Sequence, residues 1–241
     1  MKIAVISDIH ANTLALEAVL EQIDSIGVDK IFCLGDIIMA GYDPNGTAEK
    51  ILNLKNLEII QGNTDKMVAC YSEELFEKAK NKFPCMGYAL REDIKITDKK
   101  YIDFVKNLPE NKYIEINGLK IQLVHGSPRF QDENIYPDMP PEKVEEKVKN
   151  SEASLILCGH THLPCGYSLK SGKTVVNAGS VGRSMTDDKM PYWALLAVNS
   201  DGTFQIEHKT AKYDNIKVSN LIKQRGFLHS DELAKMYLTG E

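Results

Sequence analysis

Side chains that commonly bind metals follow the apolar runs of this sequence in a repeated arrangement. In each of five segments, the end of an apolar run is followed by a Ser or Gly and by an Asp, Asn or His. These segments are 6–10, 34–36, 61–63, 124–126 and 158–162. If the runs are parallel strands of an α/β sheet, their carboxyl ends share one crevice, where these side chains would converge. The small residues are expected to let the backbone approach a metal or phosphate closely. Asp oxygen and His nitrogen form a ligand set that suits Mn, Fe, Zn, Co or Ni better than Ca or an all-thiolate site.

Each segment also has an ordinary structural explanation when it is taken alone. Asp8 could cap a helix, and His125 could be a buried structural histidine. The two imidazoles of segment 158–162 are harder to explain, because both need polar partners after a buried strand. Four of the six histidines lie in these segments, so one shared metal site explains the set better than five separate coincidences.

The elements that must position these residues are predicted by periodicity. Short runs rich in Ile, Leu and Val alternate with amphipathic stretches, which is typical of an α/β sheet. The predicted strands are 2–6, 30–34, 57–61, 112–116, 119–124, 154–158, 166–169, 174–177, 192–198 and 204–209, and the helices among the first three are 12–26 and 47–54. The turn signal Asn117-Gly118 predicts a hairpin between two of these strands.

Two further segments read as helical. Residues 65–107 are charged, helical in pattern and interrupted at Pro84, which predicts an all-helical insertion, and residues 214–241 predict C-terminal helices. A length of 241 residues lies within the single-domain range. We therefore expect one domain over 1–241, with pocket walls contributed by loops and by the insertion.

Composition excludes several classes of protein. The chain is 43% hydrophobic and 26% charged, with a net charge of −5; its cations are scattered, so a duplex nucleic-acid partner is not expected. No apolar run approaches the ~18 residues of a membrane span, and no membrane partner is expected. The five cysteines include no Cys-x-x-Cys pair, which favours a reducing, cytoplasmic location. The sequence leaves the oligomeric state open.

The ordered set of segments resembles the calcineurin-like metallophosphoesterases over about residues 1–200. The family pattern of D-x-H, G-D, G-N-[HCT]-[ED], a lone H and G-H-x-H has counterparts here at Asp8 and His10, Gly35-Asp36, residues 62–65, His125, and residues 159–162. Segments 8–12, 41–45 and 177–182 are most similar to the bacterial and archaeal phosphodiesterase branch. The resemblance implies a four-layer α/β/β/α sandwich with a small helical insertion and a site at one rim.

The resemblance also implies a ligand set for two divalent transition-metal ions, with manganese expected foremost. One ion would be held by Asp8, His10, Asp36 and His162, and the other by Asp36, Asn63, His125 and His160. Asp36 would bridge the two, and a bridging hydroxide would attack phosphorus. In this scheme Asp36, Asn63 and His160 are the catalytic residues, because they act on that hydroxide and on the phosphate.

Three further residues are expected to contact substrate. Arg129 and Arg183 each follow a turn near a strand end and could clamp phosphoryl oxygens. Asn12, which closes segment 8–12, is the third. Ser180 is not expected to be a nucleophile, since the Gly-x-Ser-x-Gly frame fails at Ala178.

The expected activity is hydrolysis of phosphodiesters, with a small phosphoester or nucleotide as the substrate. The alternatives are a phosphomonoesterase or a dinucleoside polyphosphate hydrolase on the same centre. A non-catalytic protein-binding scaffold is another alternative, because a retromer subunit has a similar fold; this chain, however, retains every metal-binding position. Thr64 departs from the Gly-Asn-His form of the family motif, in which the histidine is thought to protonate the leaving group.

Overall fold

Two mixed five-stranded sheets form the centre of the fold. The computed structural model describes residues 1–239; the last two residues of the predicted 214–241 segment lie outside them. The strands are β1 Lys2–Ile6, β2 Lys30–Cys33, β3 Leu57–Ile59, β4 Asn111–Ile116, β5 Leu119–Val124, β6 Leu155–Cys158, β7 Cys165–Ser168, β8 Thr174–Asn177, β9 Tyr192–Val198 and β10 Phe204–Thr210. Their order is β10-β9-β1-β2-β3 in the first sheet and β4-β5-β6-β8-β7 in the second.

The helices pack on the outer faces of the two sheets. They are α1 Thr13–Ile26, α2 Pro44–Leu52, α3 Asn63–Ala69, α4 Glu73–Lys82, α5 Pro84–Ile96, α6 Lys99–Lys106, α7 Pro141–Val148, α8 Asn215–Gln224 and α9 Ser230–Thr239. Pro84 begins α5 and does not interrupt a helix, because the first helical N–H needs no intrahelical partner. Helices α3 to α6 occupy the segment in which the sequence predicts a helical insertion.

Three apolar clusters hold these layers together. In β1, Ile3 and Val5 face the second sheet, and Ala4 and Ile6 face the helices, as the two-residue strand period requires. A third cluster joins the second sheet to α7 through Val144 and other apolar residues. The layers are therefore helix, sheet, sheet and helix, which confirms the predicted four-layer α/β/β/α sandwich.

The topology brings six strand ends to one rim. Strands β1, β2 and β3 are parallel in the first sheet, and β5, β6 and β8 are parallel in the second. The five segments that carry the candidate metal ligands follow five of these six strands, and the segment 178–183 follows the sixth. Within residues 1–239, no helix is both long and apolar enough to cross a membrane. The five cysteines all fall in that range, and none forms a disulfide.

A buried ion pair ties the C-terminal helices to the loop after β2. Arg225, which follows α8, donates to Asp93 Oδ1 at 2.7 Å and to Gly41 O at 2.6 Å. The other oxygen of Asp93 accepts from Ala40 N at 2.7 Å. Burial raises the pKa of Asp93 from 3.8 to about 6, although Arg225 acts in the opposite direction.

We predict that Arg225→Ala lowers the free energy of unfolding by about 3 kcal/mol at pH 7, because it leaves the Asp93 carboxylate buried without its partner. The loss should be smaller at pH 5. The folded-state pKa of Asp93 exceeds the unfolded value, so folding takes up a proton as the pH falls through that range, and removing Arg225 raises that pKa further. Urea unfolding at both pH values measures the difference.

The matched control is Lys50→Ala, which removes an exposed ion pair with Glu17. Exposed pairs contribute about 0–1 kcal/mol, so this variant should change stability little at either pH. An Arg225→Ala deficit that is equal at pH 5 and pH 7 would show that the Asp93 charge does not cause the loss.

Candidate metal centre

The loops after β1, β2 and β6 are hydrogen-bonded to one another. Asp8 N donates to Gly35 O at 3.0 Å and His10 N donates to Asp36 O at 2.9 Å. Across the two sheets, His160 N donates to Asp8 Oδ2 at 2.9 Å. These bonds fix segments that lie up to 152 residues apart in the sequence.

Close packing explains the small residues beside the site. A Cβ on Gly62 would lie 2.0 Å from Asp36 Oδ1, and one on Gly159 would lie 2.0 Å from Ser7 Oγ. Glycine at these positions lets the loops contact one another. These small residues were expected to let the backbone approach a metal or phosphate, but in the structure they let the loops approach one another.

Five of the predicted metal ligands have a left-handed backbone conformation. The φ angles are 53° at Asp8, 49° at His10, 57° at Asp36, 70° at His160 and 60° at His162. A non-glycine residue in this region costs of order 1–3 kcal/mol and persists only where its surroundings enforce it. Such a concentration of strain at one rim indicates that the side-chain directions serve a function.

Three histidines present the same ring nitrogen to the centre of the cluster. Nδ1 of His10 lies 2.9 Å from Met39 O, Nδ1 of His125 lies 2.7 Å from Leu34 O, and Nδ1 of His162 lies 2.6 Å from Arg183 O. A carbonyl oxygen only accepts, so each Nδ1 donates a proton and a neutral ring keeps its lone pair on Nε2. This is the outer-shell arrangement that orients metal-ligating histidines.

Each of the two central carboxylates is held by one oxygen and presents the other. Asp8 Oδ2 accepts from His160 N, and Asp36 Oδ1 accepts from Thr64 N at 2.8 Å. Asp8 Oδ1 then lies 3.3 Å from Nε2 of His162, and Asp36 Oδ2 lies 3.4 Å from Nε2 of His125. The presented atoms form one buried cluster.

This cluster fits divalent cations. The Nε2 atoms of His10 and His162 are 3.0 Å apart, and two facing lone pairs repel unless a positive charge lies between them. Asp8 Oδ1 and His125 Nε2 are buried without a hydrogen-bond partner among the described residues, and such groups are costly in a folded protein. The mixed oxygen and nitrogen donors suit a transition-metal ion such as manganese or iron.

The protonation states also suit metal ligands. Burial, together with Arg183 and His162, lowers the pKa of His10 to about 3, which keeps its imidazole neutral. Burial opposes ionisation of Asp36, but His125 holds the pKa of that carboxyl well below its usual range. Burial also opposes protonation of His125, but Asp36 and Asp8 raise its pKa to about 10. A cation at this position would replace the proton on His125.

The candidate ligands form two groups of three, and Asp8 belongs to both. Asp8, His10 and His162 form one group, and Asp8, Asp36 and His125 form the other. Asp36, which the resemblance makes the bridging ligand, also adjoins both groups, because its Oδ2 lies 3.7 Å from Nε2 of His10. Both carboxylates therefore lie between the two candidate positions.

Asn63 and His160 form a pair at the edge of the cluster. His160 Nδ1 donates to Asn63 Oδ1 at 2.8 Å, so the amide oxygen that the resemblance assigns to a metal is bonded to an imidazole here. Both residues are partly exposed, and both line a cavity of about 330 Å³ together with Asp36 and His162.

The three predicted substrate contacts lie in different surroundings. Arg183 lines this cavity, and its Nε is buried without a hydrogen-bond partner in the described part of the chain. Arg129 instead pairs with Glu133 and lines a neighbouring cavity of about 520 Å³. Asn12 is buried: its Oδ1 caps α1, and its Nδ2 donates to Gly182 O at 2.7 Å. The structure thus gives Asn12 a structural role, and its assignment as a substrate contact stays a prediction.

Sequence reasoning missed two residues that support the site. Asp65 accepts from the backbone N–H groups of Asp36, Ile37 and Gly62, and Tyr237 donates to Ala40 O at 2.6 Å and to His10 O at 3.2 Å. Asp65 belongs to the recognised motif, so its position was a signal. Tyr237 lies near the end of the chain, and no pattern connected it to the strand ends.

Known proteins match this chain in sequence. Residues 1–201 match the profile of the calcineurin-like phosphoesterase superfamily domain. The chain is also 30% identical over 238 residues to the uncharacterized protein MJ0912 of Methanocaldococcus jannaschii, and the alignment covers 92% of this chain and 93% of that protein.

Solved structures share the fold. A metallophosphoesterase from Sphaerobacter thermophilus superposes with a TM-score of 0.79 at 24% identity, over 100% of this chain and 99% of that one. The hypothetical protein PH1004 of Pyrococcus horikoshii superposes with a TM-score of 0.89 at 23% identity, over 100% of this chain and 98% of that one. Both similarities extend along the whole chain.

We predict that Asp8→Asn and Asp36→Asn each weaken the binding of two divalent ions, because each removes a charge that lies between both candidate positions. The loss of affinity should exceed the ~10-fold to 100-fold typical of losing an outer-shell partner. Equilibrium dialysis against Mn²⁺ with elemental analysis gives the stoichiometry, and calorimetry gives the affinities.

Glu115→Gln is the control, because it removes one exposed negative charge from β4 and should leave metal binding unchanged. If either aspartate variant binds two ions with the affinity of the wild type, that carboxylate is not a ligand.

Proposed function

Because the chain belongs to the calcineurin-like phosphoesterase superfamily and is a phosphoric ester hydrolase, we propose that it is a phosphodiesterase with two divalent transition-metal ions, manganese foremost. Asp8, His10, Asp36, His125 and His162 would hold the ions. When bound, such a pair supplies Lewis-acid charge for the phosphoryl oxygens and lowers the pKa of a coordinated water.

The remaining residues of the site bind and orient the substrate. The Arg183 guanidinium lies beside the cluster and lines the cavity, and it would bind a phosphoryl oxygen through a charge-assisted hydrogen bond. The Asn63–His160 pair lies where the cavity meets the cluster and would orient the phosphate against the carboxylates. The chain supplies no covalent nucleophile in this scheme.

One observation favours diesters over monoesters. The 330 Å³ cavity and the 520 Å³ cavity adjoin, since Asn63 and Met67 line both. A phosphate centred near Asn63 would therefore have space for an ester group on each side. A monoester would fill one side alone, and a dinucleoside polyphosphate would place further phosphates beyond the cluster.

The intact donor cluster also supports an enzyme over a protein-binding scaffold, because a scaffold gains nothing from a strained set of facing ligands. The substrate we propose is a small phosphoester or nucleotide, with no nucleic-acid duplex or membrane as partner. The five unpaired cysteines support a cytoplasmic location.

Rates on different substrates test this function. The manganese-loaded protein should hydrolyse bis(p-nitrophenyl) phosphate with a higher kcat/KM than p-nitrophenyl phosphate or diadenosine tetraphosphate, and removal of the metal by a chelator should abolish all three activities. A preference for the monoester or for the dinucleotide would replace the proposed substrate class. Absence of hydrolysis of all three at every metal tested would refute the proposal.

A further prediction concerns the proton on the leaving group. Thr64 lines the cavity, and its buried Oγ1 has no hydrogen-bond partner within residues 1–239. A threonine hydroxyl has a pKa far above neutrality and is a poor general acid for a leaving alkoxide. General acid catalysis is worth about 10² to 10⁴ in rate, so diesters with poor leaving groups should react slowly. We expect kcat to fall steeply as the pKa of the leaving group rises.

Thr64→His should flatten that dependence, because an imidazole has a pKa near neutrality, and Thr64→Ser is the matched control that should keep it steep. The measurement is kcat across a series of aryl methyl phosphates under conditions where bond cleavage limits the rate. A wild-type rate that is nearly independent of leaving-group pKa would reveal another acid in the site.

A further inference from the structure

The cavity beside the cluster of candidate metal ligands has two chemically different walls. One wall carries Asp36, His160, His162 and Arg183. The other wall is mostly apolar, and its side chains include Met39, Met67, Met86, Met185, Met236 and Phe83. Five of the chain's eight methionines therefore line this one cavity.

The apolar wall is assembled from separate elements. Met67 lies on α3, Met86 on α5 and Met236 on α9, and Phe83 lies between α4 and α5. The helical insertion and the C-terminal helix thus converge over the cluster. Phe83 is 59% exposed and lines the cavity together with the methionines, and grouped apolar side chains that solvent can reach are typical of ligand-binding grooves.

Methionine suits a wall that adapts to its ligand. Its unbranched, polarisable side chain repacks around ligands of different shape and is abundant at promiscuous binding surfaces. The neighbouring cavity, called the polar cavity below, is lined by Met67, Leu75 and Phe130 but also by the polar side chains Lys66, Glu110, Gln131 and Asp132. The two cavities at Asn63 therefore differ in polarity.

Positive charge borders the apolar wall. Lys82 lies exposed on the rim, and Arg183 Nη1 lies 3.1 Å from Met86 Sδ, which is a weak acceptor that a phosphate oxygen would outcompete. A ligand that satisfies both walls must carry an anionic phosphate and an apolar group joined to it.

We propose that the methionine-lined cavity binds an apolar alkyl or aryl group of the phosphoester substrate. This inference rests on the proposed function and adds the class of the organic group to it. The apolar group enters between α3, α5 and α9, and the phosphate stays at the cluster beside Arg183. The second ester group, where present, occupies the polar cavity next to Arg129.

Alkylphosphonates test this inference, because each carries one organic group and cannot be hydrolysed at that bond. The manganese-loaded protein is titrated with methyl-, propyl- and hexylphosphonate by calorimetry, and the same compounds are tested as inhibitors of bis(p-nitrophenyl) phosphate hydrolysis. We expect binding to tighten roughly threefold to fourfold per methylene. The heat-capacity change of binding should become more negative with chain length.

Variants locate the alkyl chain. Phe83→Ser and Met236→Gln should each weaken hexylphosphonate binding by about fivefold or more and leave methylphosphonate binding nearly unchanged. Phe130→Ser is the matched control, since Phe130 is 62% exposed and lines the polar cavity. Met139→Gln is a second control, because Met139 packs on the α7 side of the second sheet.

The outcomes separate this inference from the function on which it rests. Hydrolysis of the diester with equal affinities for the three phosphonates would overturn the inference alone. Loss of the chain-length effect in Phe130→Ser, and not in Phe83→Ser, would overturn it by moving the apolar group to the other cavity. Absence of diester hydrolysis would refute the proposed function and this inference with it.

Discussion

The close approach of lone pairs and negative charges at one buried rim is the constraint that the surrounding structure must satisfy. Asp8 and Asp36 present carboxylate oxygens to a space that His10, His125 and His162 also face with ring nitrogens. In an apolar interior such a set is unfavourable without positive charge, since isolated buried charges cost several kcal/mol each. Cation binding removes that penalty, so metal binding and the stability of this rim are coupled.

The rim keeps its geometry because the backbone, and not only the side chains, holds the donors. Three histidines are oriented by main-chain carbonyls, and both carboxylates accept from main-chain N–H groups. Left-handed residues at the ends of the strands turn these side chains inward. The strain is offset by hydrogen bonds between loops that belong to both sheets, which makes the two-sheet packing a requirement of the site.

Local patterns in the sequence predicted much of the fold and of the cluster. The apolar runs, the Asn117-Gly118 turn and the strand-end motifs indicated which segments converge. No local sequence pattern predicts the left-handed conformations or the hydrogen bonds from Tyr237 to the loops of the site, because both depend on contacts between distant segments. Arg129 and Arg183 looked equivalent as arginines after turns. Only the tertiary structure distinguishes the ion-paired Arg129 from Arg183, whose Nε has no hydrogen-bond partner among the described residues.

The division between the two walls of the cavity follows from how each is built. The donor wall is made by loops that bond to one another through the main chain, so a substitution there disturbs several loops together. Much of the apolar wall is made by Met67, Met86 and Met236, which are side chains of helices α3, α5 and α9 and are not candidate metal ligands. We expect substitutions of these side chains to disturb Asp8 and Asp36 less than substitutions in the donor wall do. A fold of this kind can therefore alter the organic group it accepts and retain one phosphate-binding centre, which is how a common scaffold comes to serve different substrates.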